Sequence, residues 1–158
     1  MGTIYCWFES LFGQDLAEHL WGWDMSTQDY TKGNHFNSIG SVLVLVTLFM
    51  VVLFYYIINH PRFNHWWSWI LVLIINSGMN FLYGWKLTLS DLSNNLISDD
   101  LMYIRDVTTN AIVTQKITES NCVNFGIANA TLAAILFLIF SFMLRWWSRN
   151  CSTCPIPN

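Results

Sequence analysis

Four cysteines and four histidines hold most of the reactive chemistry in this chain. Cys151 and Cys154 have CxxC spacing, and His60 and His65 have HxxxxH spacing. Four such ligands on one face could bind zinc, and a CxxC pair could exchange disulfides. The CxxC, however, lies on a tail before Pro155 and does not open a helix in a βαβ unit. Free thiols and interfacial histidines are therefore expected, with no metal and no cofactor. Cys6 and Cys122 fall together on the opposite face, where a disulfide could tie the N-terminal helix to the start of the third span. The chain has no HExxH, GxSxG, phosphate-binding glycine loop or pair of intramembrane aspartates. Without a nucleophile–base constellation, a non-enzymatic protein is expected.

A second kind of chemistry resides in amides. Asn76, Asn80 and Gly84 stand at i, i+4 and i+8 in an apolar stretch, with Ser77 beside them, and Asn129 lies in another such stretch. In hydrocarbon an unpaired amide costs several kcal/mol, so each must find a partner. The partner is either another helix or water in a pore. Gly126, Ala130 and Ala134 repeat every four residues, a small-residue row that lets helix backbones approach closely.

These residues belong to three stretches without Lys, Arg, Asp or Glu: Gly33–Pro61, Phe63–Trp85 and Ser120–Leu144. Each holds the roughly 20 apolar residues a helix needs to cross about 30 Å of hydrocarbon. The segments are 1–37, an N-terminal amphipathic helix and linker; 38–60, a first span; 66–85, a second; 86–120, an extramembrane loop; 121–147, a third span; and 148–158, a tail. The fold expected is all-α transmembrane, with a small extramembrane cap. At 54% apolar and 11% charged, the composition does not suit a soluble surface, where about 25% charged is usual.

Three crossings place all ten acidic residues on the face of the N-terminal tail and long loop. Arg62, Arg145 and Arg149 fall on the other face. Net charge divides as −4 over 1–38, −2 over 86–120 and +3 over the remainder, which together give the overall −3. Such a balance excludes nucleic acid as a partner, since phosphate binding needs clustered cations. By density of Lys and Arg in the short segments, the C-terminus is cytoplasmic and the N-terminus outside, in the plasma membrane. Arg62, Trp66, Trp67, Arg145, Trp146 and Trp147 are interface anchors in this scheme, joined by Tyr55, Tyr56 and Trp69. Residues 2–8 lack a basic n-region, so no signal peptide is expected.

Outside the bilayer, Thr3–Trp23 reads as one amphipathic helix carrying Ile4, Phe8, Leu11, Phe12, Leu16, Leu20 and Trp23 on one stripe. A short helix is expected at Ser90–Leu101. Met102–Val107 and Ala111–Ile117 should pair as a hairpin. The absence of charge at mid-membrane weighs against a proton relay, voltage sensor or ion-coupled transporter. The function expected is an integral membrane subunit that scaffolds or anchors a larger envelope assembly, for example a secretion or injection machine. Its partners would be lipid, itself and other membrane proteins. The alternative is a homo-oligomeric pore, including a membrane-permeabilising defence effector.

Overall fold

A computed structural model describes residues 2–58, 65–106, 109, 111–144 and 146. The chain is mostly helical. Its elements are α1 (Gly2–Tyr5), a 3-10 turn (Cys6–Phe8), α2 (Glu9–Phe12), α3 (Gln14–Trp21), α4 (His35–Val52) with a π-helical end (Leu53–Ile58), α5 (Trp66–Ser93), α6 (Asp99–Met102), β1 (Tyr103–Arg105), β2 (Ile112–Gln115) and α7 (Glu119–Leu144). Helices α4, α5 and α7 are each long and apolar enough to cross a membrane. The strands form the antiparallel pair the sequence suggested, with Tyr103 opposite Gln115 and Ile104 opposite Thr114.

The chain forms two compact units, 1–41 with 82–128 and 42–81 with 129–158. The second has an aromatic and aliphatic core of Val51, Phe54, Tyr55, Trp69, Val72 and Phe137. Its outward-facing residues, such as Leu45, Phe49, Leu71, Ile74, Ile135 and Ile139, are just as apolar. Apolar side chains therefore carry no periodicity there. The polar and small residues mark the inner stripe instead: Thr47 on α4, Asn76 and Asn80 on α5, and Asn129, Ala133 and Ser141 on α7 are all buried.

Two parts of the expected fold need correction. The N-terminal segment is not one helix. Gly13 takes φ 95° and ψ 146°, a conformation open to glycine, and ends α2 before α3 begins. The break rephases the stripe. Tyr5, Phe12, Leu16 and Leu20 are buried, whereas Ile4, Trp7 and Leu11 are exposed. The second long helix also continues past Trp85 to Ser93, because Lys86–Leu92 contains neither proline nor glycine. It closes on a Schellman motif with Asn95 at φ 53°: Leu96 N–H donates to Asp91 O at 3.0 Å and Asn95 N–H to Leu92 O at 3.3 Å. The short helix expected over Ser90–Leu101 is thereby divided between the end of α5 and the four residues of α6.

In the first unit, Tyr5 stacks on Phe36 at 5.0 Å and on Phe125 at 5.7 Å, and Phe12 meets Phe125 edge-on at 5.2 Å. Burial, reinforced by nearby Tyr83, pushes the Tyr5 phenol well above its usual range. Asn121 and Asn124 donate to the carbonyls of Phe12 and Leu11 at 2.9 and 3.0 Å, so the N-terminal segment is fastened to the start of α7. At the end of α3, Gly22 has φ 97°. A Cβ there would collide with the Lys32 carbonyl oxygen. The 23–34 linker folds over this turn through an Asp24–Asp29 bridge. Hydrogen bonds from the Ser26 N–H and hydroxyl hold the Asp24 carboxyl below the usual carboxylate range.

Candidate functional site

The amides singled out by sequence come together between α5 and α7. Asn129 Nδ2 donates to Asn80 O at 2.7 Å, and Asn80 Nδ2 donates to Asn76 O at 2.9 Å and Asn76 Oδ1 at 3.4 Å. Asn76 Nδ2 then reaches Ala133 O on α7 at 3.3 Å. All three asparagines are at most 1% exposed. Each helix thus gives an amide to a backbone carbonyl of the other, at levels about one turn apart. Ser77 lies alongside, half-buried, and its Oγ has no partner among the described residues.

The small-residue row is offset from this seam. Gly126 is buried, but Ala130 and Ala134 are only half-buried. Asn129, Ala133 and Phe137 occupy the centre of the packed face, with no exposed surface. Gly84 is buried and its carbonyl accepts the Thr88 hydroxyl at 3.0 Å.

A second rung lies lower in the same unit. Ser141 Oγ accepts from Trp69 Nε1 at 2.7 Å and pairs with the Tyr55 hydroxyl at 2.7 Å. Next to it, the Tyr56 hydroxyl donates to Leu144 O at 3.2 Å. Tyr55 and Trp69 are therefore core residues and not interface anchors; each has a polar tip that the Ser141 hydroxyl satisfies. Trp66 and Trp67 are exposed, with ring centroids 4.3 Å apart, and Trp146 is exposed as well. Arg62, Arg145, Trp147, His60 and the Cys151/Cys154 pair lie outside the described residues.

In the first unit the structure assembles a pair that the sequence did not signal. His19 Nε2 of α3 lies 3.3 Å from Asp91 Oδ2 of α5, with side chains only 6% and 11% exposed. His35 of α4 stacks on His19 at 5.8 Å. The Cys6–Cys122 disulfide that the sequence left open is not formed: both thiols are free. Cys122 is fully buried beside Thr88, while Cys6 lies on the partly covered 3-10 turn. No group of three or more His, Cys, Asp or Glu suited to a metal occurs among the described residues.

A cavity of about 760 Å³ opens among Met25, Ser98, Asp99, Asp100, Tyr103 and Arg105. Its charges are partly spent internally. Arg105 pairs with Asp99 at 3.2 Å, and Trp23 Nε1 donates to Asp100 Oδ2 at 2.8 Å. No known family profile, curated protein or solved structure matches the chain.

Proposed function

We propose that this chain is a non-enzymatic integral membrane subunit, a self-associating scaffold or anchor within a larger membrane or envelope assembly. The observation that carries this reading is the use of the amides. Asn76, Asn80 and Asn129 direct their donors at helix backbones inside one chain, which is how polar residues join membrane helices. Amides lining an aqueous path would keep donors free for water. Self-association draws support from Ala130 and Ala134, whose half-covered methyls leave a shallow track on α7 for a helix of a second copy. The exposed tryptophans Trp66, Trp67 and Trp146 suit the headgroup layer.

A homo-oligomeric pore is the second reading, favoured by the buried oxygens of Thr47, Ser77 and Asn80, which have no partner among the described residues. Reconstitution into liposomes with an entrapped dye separates the two. A scaffold leaves vesicles sealed, and Asn76→Leu with Asn80→Leu lowers stability without changing leakage. Wild-type leakage that vanishes in an assembled double variant would establish the pore.

The orientation proposed is N-terminus outside and C-terminus cytoplasmic, in the plasma membrane. In a cysteine-free background, single cysteines within 24–36 and 90–116 should label from outside intact cells. Labelling of the 151–154 tail from outside, with those segments protected, would reverse the assignment.

A further inference from the structure

Threonine inside a helix usually settles its hydroxyl on the carbonyl one turn back. Thr88 does this with Gly84, and Ser41 does the same with Asn37 at 2.7 Å. Thr47 does not. It has no exposed surface, yet its Oγ1 has no partner among the described residues. Asn80 is 1% exposed and spends Nδ2 on Asn76, leaving Oδ1 equally without a partner. Ser77 Oγ is a third such atom.

Thr47 and Ser77 share one level of the second unit, and Asn80 stands one turn from it on the same helix as Ser77. Tyr55, Trp69 and Ser141 form a rung across its three helices. Eight residues along each helix from that rung, roughly 12 Å at 1.5 Å per residue, stand Thr47, Ser77 and Ala133. The Asn76–Ala133 bond fixes the same level independently, and Asn80 lies one turn beyond. Thr47 continues the buried stripe of Val51 and Phe54, which packs against Trp69, Val72 and Phe137, so its hydroxyl faces the interior.

We propose that Thr47, Ser77 and Asn80 form an internal hydration site that binds water inside the three helices. Two hydroxyls can both donate and accept, whereas Asn80 Oδ1 only accepts. Water meets that set, donating to Asn80 Oδ1 and accepting from Thr47, and internal waters typically have two to four such partners. A metal cation fits poorly, because the three residues supply no carboxylate to offset its charge. The site rests on the reading that the three helices cross a bilayer, since only hydrocarbon would separate these atoms from bulk water. It gives the scaffold a polar layer at mid-membrane without requiring an open path.

Thr47→Val, nearly isosteric, gives a test whose sign is decisive. If water bridges the hydroxyl, the variant loses a hydrogen bond and strands the water, and its melting temperature in nanodiscs falls by roughly 2–4 °C. Thr47→Ser, which keeps the hydroxyl, should retain most of the wild-type value. If the hydroxyl is simply unpaired, Thr47→Val melts at or above the wild-type temperature, and the site is refuted. Water-to-protein cross-relaxation by NMR provides a readout that does not depend on variants. Signals are expected at the Thr47 methyl and Asn80 side-chain amide of the wild type, and their absence would also refute the site. Flotation with vesicles tests the membrane reading separately, because a chain that fails to float would fail there whatever the NMR shows.

Discussion

His19→Leu should lower the stability of the first unit by about 1–3 kcal/mol, the usual cost of leaving a buried acceptor without its hydrogen-bond donor. Leucine fills the volume well enough. The penalty comes from Asp91, whose carboxylate lies 3.3 Å from His19 Nε2 with a side chain 11% exposed, and which would lose its cationic or donor partner. Asp91→Asn should be milder, since a neutral amide costs less to bury and still offers an oxygen to the imidazole. Combining it with His19→Leu should recover much of the loss, a non-additivity that a double-mutant cycle resolves. Thermal unfolding in mild detergent is the measurement. If His19→Leu melts with the wild type, Asp91 is reached by water and the pair holds nothing together.

The three long helices were legible because each runs through a long apolar stretch that no charged residue interrupts. The β-hairpin was legible from two short β-prone runs flanking Thr108-Thr109-Asn110. The N-terminal segment was harder. Its apolar spacing is helical throughout, but the 3-10 turn at Cys6–Phe8 and the break at Gly13 each reset the phase, which a count of spacings does not register. Asp91 could have been found. It extends the row Asn76, Asn80, Gly84 through Thr88, all on the inner face of α5, and so marks a helix longer than its uncharged part. His19 gives no such signal. Its partner is 72 residues away, and it sits among apolar neighbours on α3. Cys6 and Cys122 both belong to the first unit, but sharing a unit says nothing about which way each thiol turns.

The seam between α5 and α7 poses a sharper question, because a 3.6-residue period leaves neighbouring stripes nearly equal candidates. The Gly126/Ala130/Ala134 row is the obvious small-residue motif, yet the packed centre runs one residue to the side, through Asn129 and Ala133. Two substitutions distinguish these stripes. Ala133→Leu inserts a large side chain where there is no exposed surface and where the carbonyl receives Asn76, so overpacking of about 1–3 kcal/mol should be joined by loss of that bond. The melting temperature should fall whether or not the chain self-associates. Ala130→Leu meets a half-covered position, so it should leave the single chain nearly as stable. Any shift it causes on size-exclusion chromatography then reports on a second copy. Equal destabilisation by both would place Ala130 inside the fold and remove the support it gives to self-association. An unchanged elution and melting temperature for Ala130→Leu would turn that face to lipid, leaving the anchor without its proposed self-contact.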